Sequence, residues 1–343
     1  LSGGVFQNVT LNKYILESKI FDKYYFNMAS GDAGLSLGQA FYVQPNKLNE
    51  TRKKLLSPFL GPSFGEKEIS KLLDQSRIKY SYETNIEKKA ANLISKGNCV
   101  GWFQGNAEYG PRSLGARSIL ADPRDKKSKS RINQLLKKRD WFMPYAPSIL
   151  SEHIKDYLEK PIDSPYMQVA LNIKKNKKKI IPAGIHIDGS SRVHVINKKD
   201  NIKYWTLINE FRKITKVPVV LNTSFNRHGI STISDPKQAI EHLLEGCMDY
   251  LAIENFLISF NENRKAKKYS IKEESESLCL KRDCIQRLQI VMATNSNKIL
   301  KNYLLELEEI LSISIGLKGK DFIIGKKKIK KKNVIEYLQK SLI

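Results

Sequence analysis

Three arginines stand in one heavily punctuated stretch: Arg112, Arg117 and Arg124 in "GWFQGNAEYGPRSLGARSILADPR" (101–124). A guanidinium offers a planar fork of donors that matches phosphate or carboxylate, whereas a lysine ammonium is a point charge. The same stretch holds four glycines and two prolines, which break helix and strand alike, so it reads as a loop. Lys137, Lys138 and Arg139 follow it on the helix "KSRINQLLKKRDWF". Together these cations point to an anion site. The competing explanation is a set of unrelated helix caps and surface ion pairs.

Three further constellations could do chemistry. "SGGVFQN" (2–8) and "SGDAG" (30–34) pair glycines with polar residues. Such turns let backbone amides approach a phosphate, and Asp32 sits where a loop carboxylate could hold a metal or a metal-bound phosphate. In "HIDGSSRVHVI" (186–196), Arg192 and His194 alternate with Val193 and Val195 and so share one strand face. His194 there reads as a neutral core histidine. In "VPVVLNTSFNRHG" (217–229) an apolar strand delivers Asn222, Thr223, Ser224 and Asn226 into a turn, a usual place for a ligand pocket in α/β folds. The five histidines form no HxxxH or HExxH pair, and no GxSxG, Walker loop, GxGxxG or CxxC occurs.

The elements that must position these residues follow from periodicity. Apolar spacing predicts helices at "VTLNKYILESKI", "EKEISKLLDQS", "EKKAANLISKG", "YWTLINEFRKIT" and "DPKQAIEHLLEG", the last capped by Asp235 with Pro236 at its first position. "SGDAGLSLGQAFYV" reads as a glycine loop entering a helix. Strands are expected at residue 1, at "YYFNM", "NCVGWFQG", "YMQVALNI", "HIDGSSRVHVIN" and "VPVVLNTSF". Residues 45–65 read as a linker. From residue 263 a polar linker leads into two or three amphipathic helices and lysine tracts.

The 343 residues suffice for two or three domains, each with its own core. No apolar run approaches the roughly 20 residues that span a bilayer, so no membrane segment is expected. Scattered cysteines suggest reduced thiols in a cytoplasm. The net charge of +24 comes mostly from lysines spread along the chain, which favours solvated faces over a nucleic-acid surface. The opening "LSGGVFQN", with no initiator methionine, suggests that an earlier half is missing or lies on another polypeptide.

The motifs in this order resemble the carbamoyltransferase family typified by nodulation-factor and cephalosporin O-carbamoyltransferases. The resemblance rests on the 101–124 stretch, "INQLLKKRDWFMPYAPSIL", "HIDGSSRV" and "LNTSFN", with "SGGVFQN" and "GDAG" upstream, and covers roughly residues 1–262. It implies an α/β fold: residues 1–60 as the remnant of an RNase H-like, actin-like nucleotide- and metal-binding domain, and 61–262 as a domain of the threonylcarbamoyl-adenylate-synthase kind with a twisted mixed sheet. Residues 263–343 would be a mainly helical, lysine-rich extension. The implied function is biosynthetic transfer of a carbamoyl group from carbamoyl phosphate, with ATP and through a carbamoyl-adenylate, to a hydroxyl of a sugar or natural product. The alternatives are a threonylcarbamoyl-type transfer-RNA modification protein and a non-catalytic phosphate- or RNA-binding remnant.

By the same resemblance, Arg112, Lys137 and Arg192 would be catalytic. They would line the carbamoyl phosphate site with Asn222, Ser224 and Arg227. Gly3, Gly4, Asn8 and Gly31 would lie near the nucleotide, and Asp32 would ligate a divalent metal, Fe(2+), whose other ligands lie outside this chain. The sequence differs from the family in three ways. The family's metal-binding histidine pair should precede this chain and no substitute is visible in it, "NTSFN" leads to Gly229-Ile230 rather than Gly-Glu, and 263–343 has no recognised counterpart.

Overall fold

The computed structural model describes residues 1–47, 57–137, 145–227 and 229–263, and three short strands at 315–318, 321–324 and 327–330. Lys138 and Arg139 lie outside the described residues. The chain divides into two compact units, Leu1–Ala266 and Lys267–Ile343.

The first unit is built on a mixed eight-stranded sheet. Its strands are β1 (Ser81–Tyr82), β2 (Val100–Phe103), β3 (Arg117–Ala121), β4 (Ala146–Leu150), β7 (His194–Ile196), β8 (Val219–Ser224), β9 (Tyr250–Ile253) and β10 (Phe256–Ser259). Their spatial order is β1-β10-β9-β2-β3-β8-β4-β7. β2 runs parallel to β9 and β4 parallel to β7, and the remaining pairs are antiparallel. A two-stranded sheet joins β5 (Leu171–Asn172) to β6 (Ser190–Ser191).

Helices cover both faces. Of α1 (Val9–Ser18), α2 (Gly34–Lys47), α3 (Glu66–Gln75), α4 (Ile86–Ser95), α5 (Lys126–Ile132), α6 (Ile154–Tyr157), α7 (Lys175–Lys178), α8 (Ile202–Thr215), α9 (Pro236–Leu244) and α10 (Phe260–Asn263), four carry most of this cover. In α8, Tyr204, Leu207, Ile208 and Phe211 fall on one stripe and are buried, as are Ile86, Ala90, Ala91 and Ile94 of α4. Both stripes join the core cluster that takes Val100 and Trp102 from β2. Phe103 points the other way, into a second cluster with Ile69 and Leu73 of α3 and Ala239, Ile240 and Leu243 of α9. The sheet is thus buried on both sides between two helical layers. Asp235 caps α9 by accepting from the Gln238 amide at 3.0 Å, with Pro236 at the first helical position.

Residues 1–47 pack onto this body. The Asn12 side chain donates to the Gln168 carbonyl at 2.6 Å, the Ala170 amide donates to Val9 at 3.0 Å, and the Gln168 amide group donates to Met28 at 3.1 Å. Two expected strands do not form here: the chain start at Leu1 is irregular and runs into a 3-10 turn at Gly4–Gln7, and 24–28 are irregular. Among the described residues neither has a neighbouring strand to pair with, and Phe26 and Met28 turn inward instead. "YMQVALNI" contributes only the two residues of β5, while β3 arises within the stretch whose glycines and prolines suggested loop, and β4 was not anticipated.

In the second unit the described residues are three short strands, and the helices expected of this extension lie outside the described residues. β11 (Ile315–Lys318), β12 (Asp321–Ile324) and β13 (Lys327–Lys330) form an antiparallel meander. The register pairs Leu317 with Phe322, and Phe322 with Ile329.

Candidate anion site

A cavity of about 800 Å³ opens where the start of β3 meets the end of β8, and Arg112, Ser113, Arg117, Arg192, Asn222 and Ser224 line it. Ser118 of β3 pairs with Ser224 of β8, so antiparallel pairing brings the 104–116 loop beside the 225–234 turn.

The loop is held by two groups working in opposite senses. Glu108 Oε1 accepts from the amides of Leu114, Ala116 and Arg117 at 2.7, 2.9 and 3.0 Å. Arg117, fully buried, donates to the carbonyls of Gln104, Ala116, Pro62 and Gly105 at 3.0 to 3.1 Å. Its guanidinium also lies 3.5 Å from the Phe103 ring centroid. Burial lowers the Arg117 pKa to about 10, so the group stays charged at neutral pH. Gly115, at φ 94°, sits so close to Tyr204 that a Cβ would come within 2.2 Å of the ring, so only glycine fits. Arg124, at the other end of β3, forks onto Asp122 at 2.6 to 3.0 Å. Of the three arginines, Arg117 braces the loop and also touches the cavity, Arg124 fixes the following turn, and Arg112 reaches the cavity half-buried. Arg112 Nη2 also lies 3.5 Å from the Gln7 carbonyl.

Lys137 ends the π-helical turn Asn133–Lys137 that continues α5. It is fully buried and does not line the cavity. Its ammonium donates to the carbonyl of Ser224 at 2.6 Å, to Ser224 Oγ at 3.0 Å, and to the carbonyl and Oδ1 of Asn226 at 2.8 and 2.5 Å. This cation therefore fixes the turn that presents Ser224 and Asn226. Arg227 is placed away from the cavity lining and pairs with Glu245 at 2.9 Å.

Arg192 enters from the segment between β6 and β7. Its amide donates to His186 Nε2 at 3.2 Å, so the His186 proton sits on Nδ1, 3.1 Å from Ser190 Oγ. Ser190 Oγ in turn donates to Asp188 Oδ1 at 2.7 Å. Burial first, with the charges of Arg192 and Lys129 adding against the opposing pull of Asp188, depresses the His186 pKa to about 4 and keeps the imidazole neutral. His194 does not share Arg192's surroundings. It is buried, its pKa is held down to about 3 by desolvation, and its Nδ1 lies 3.1 Å from Ser148 Oγ.

In the N-terminal segment the expected residues are exposed. The Gly3 amide donates to Ser30 at 2.5 Å, which joins the two glycine turns. Asn8 caps α1 by accepting from the amides of Thr10 and Leu11, both at 3.1 Å. Asp32 is exposed beside half-buried Gly31. Among the described residues no three His, Cys, Asp or Glu side chains come together, so these residues do not make up a metal site by themselves. Glu108, Ser113 and His186 were not singled out as site residues from sequence. Glu108 and His186 pair with backbone amides, which no residue pattern announces.

Residues 91–259 match the family model described as the carbamoyltransferase C-terminus. The chain is 38% identical over 266 residues to Uncharacterized protein MJ1058 of Methanocaldococcus jannaschii, covering 75% of this chain and 44% of that protein. It is 37% identical over 270 residues to Nodulation protein NolNO of Sinorhizobium fredii, covering 75% of this chain and 39% of that protein. The chain thus spans less than half the length of these relatives. A solved structure of T. kodakarensis HypF aligns with 51% of this chain and 20% of its own at a TM-score of 0.35 and 20% identity. Among the described residues no helix is long and apolar enough to cross a membrane.

Proposed function

We propose that the cavity binds carbamoyl phosphate and that the chain serves in ATP-dependent transfer of the carbamoyl group to a hydroxyl of a sugar or natural product. One observation carries this reading. Arg112, Arg192, Asn222 and Ser224, from segments up to 112 residues apart, reach a single cavity in the part of the chain that matches the carbamoyltransferase C-terminus model. Two guanidiniums would neutralise the phosphate, and the strand-end amide and hydroxyl would orient the carbamoyl end. A reaction that expels phosphate needs that fixed positive charge in a site shaped before substrate arrives.

In this reading residues 61–262 are the domain of the threonylcarbamoyl-adenylate-synthase kind and 1–60 belong to an RNase H-like domain. ATP and the carbamoyl-adenylate are part of the proposal, with Gly3, Gly4 and Gly31 beside the nucleotide. Asp32 would give one carboxylate to a divalent metal whose other ligands come from outside the described residues, and no step is assigned to that metal. Lys137 acts through the turn it holds.

Calorimetric titration of carbamoyl phosphate into the chain tests the reading. Binding is expected, and Arg192→Ala should weaken it by about 10- to 100-fold, the worth of a charge-assisted hydrogen bond. A wild-type chain that binds neither carbamoyl phosphate nor inorganic phosphate overturns it.

A further inference from the structure

The cavity wall offers several donors, and it also holds a buried amide oxygen that can only accept and has no partner. Asn222 is 1% exposed, and both hydrogens of its amide are committed: Nδ2 donates to the Ser113 carbonyl at 3.0 Å and to Ser148 Oγ at 3.2 Å. Those two bonds fix the amide orientation. Turning it over would set Oδ1 against the Ser113 carbonyl, acceptor against acceptor. Oδ1 itself is buried and has no partner. Ser113 is 5% exposed, lines the same cavity, and its Oγ is likewise buried with no partner. Buried polar atoms are nearly always paired, so two orphans in one cavity wall mark where a ligand's polar atoms belong.

We propose that Asn222 Oδ1 and Ser113 Oγ divide the recognition of an acyl phosphate between its two ends, and that Asn222 makes the site selective for an acyl group bearing an N–H. This inference rests on the reading of the cavity as a carbamoyl phosphate site. Ser113 is the immediate neighbour of Arg112, and its hydroxyl donates to the phosphate. Asn222 Oδ1 accepts from the carbamoyl amine. Acetyl phosphate has nearly the same shape but carries a methyl where carbamoyl phosphate carries the amine. The methyl donates nothing, so Oδ1 stays buried and unsatisfied when acetyl phosphate binds. A site built around a hydrogen bond rejects the analogue lacking it far more strongly than a site that senses only shape. Ser148, which does not line the cavity, is the positioning residue. It holds the amide in the accepting orientation, and its own Oγ lies 3.1 Å from His194 Nδ1. Burial of His194 keeps that ring neutral and able to accept.

The test is a calorimetric comparison of carbamoyl phosphate, acetyl phosphate and inorganic phosphate on the full chain. Wild type should prefer carbamoyl phosphate over acetyl phosphate by about 100-fold. Asn222→Ala should erase that preference while leaving inorganic phosphate affinity within about twofold. Ser113→Ala should weaken all three ligands alike, by about tenfold, and keep the preference. If Asn222→Ala does not fold, Ser148→Ala takes its place and should reduce the preference without changing inorganic phosphate binding. Equal wild-type affinity for the two acyl phosphates overturns the inference but leaves the anion site standing. An Asn222→Ala or Ser148→Ala chain that keeps the full preference overturns it too. Failure of all three ligands to bind wild type overturns the carbamoyl phosphate reading itself.

Discussion

In the body of the first unit, Arg112, Arg192, Asn222 and Ser224 leave three distant stretches of chain and line one cavity. In the segment 1–47, Gly3, Gly4, Asn8 and Asp32 stand exposed, and Tyr14, Ile20, Phe21, Tyr25, Leu35 and Tyr42 are each more than half exposed around them. Both regions contain glycine turns and polar side chains of the right types. The difference is the scaffold. A guanidinium taken out of water must find acceptors on several sides, and only a sheet buried on both faces supplies them. Arg117 finds four carbonyls, and Lys137 finds four oxygens.

The sharpest way to break this contrast is to remove the braces of the body. Arg117→Ala strips partners from four carbonyls and vacates the space over Phe103, so it should cost about 3–5 kcal/mol of unfolding free energy. Urea unfolding followed by tryptophan fluorescence reads this directly, and a loss under about 1 kcal/mol would contradict the bracing role. Lys137→Met keeps the volume but leaves the turn oxygens without their donor. About 2–3 kcal/mol should be lost, and phosphate affinity should fall several-fold although Lys137 does not line the cavity.

How far the sequence revealed this body depends on what each signal encodes. α4, α8 and α9 were readable because their apolar spacing is the packing itself. β8 was readable because its apolar run ends in "NTS", and the end of a strand is where side chains reach a pocket. β3 was not, because "RSILA" follows a Gly-Pro loop and opens on an arginine that is a core residue only once four carbonyls surround it. Lys137 was read as a ligand contact, and its charge was the correct signal. Its partners, however, are a turn 87 to 89 residues away that only the fold brings near. Strand β13 was not readable either, because in "KKKIKKK" (326–332) a single isoleucine interrupts the lysines and no apolar–polar alternation shows.

The junction between the two regions should respond more weakly. A Cβ on Gly34 would meet the Ala29 carbonyl oxygen at 2.1 Å, so the backbone must shift. Gly34→Ala should therefore cost about 1–2 kcal/mol, with inorganic phosphate binding unchanged. If phosphate binding fell as well, the two regions would be coupled in a way the comparison denies. Acid should act on the body through His186 and His194. Both are held neutral, at about 4 and about 3 against an ordinary 6.5, so from pH 6.5 downward the unfolded chain takes up protons that the folded chain refuses. Stability should thus fall as pH drops from 6.5 towards 4. In His186→Asn the slope of melting temperature against pH over that window should flatten, because one of the two refused protons is gone.

The smallest effect is expected at Asp32. It is an exposed carboxylate, and no described cluster of ligating groups contains it. Asp32→Asn should change unfolding free energy by less than about 0.5 kcal/mol, as a surface substitution away from any packed feature does. It should leave carbamoyl phosphate affinity where it was, since Asp32 is outside the cavity lining. The informative arm is a divalent cation titrated into both proteins. If the wild-type chain alone binds Fe(2+) tightly and Asp32→Asn abolishes this, the segment 1–47 holds a finished site and the contrast with the body collapses. If neither protein binds it, Asp32 can be at most one ligand of a site completed by groups outside the described residues. Its exposure is then that of a half-built coordination shell, whereas the anion cavity has its walls in place.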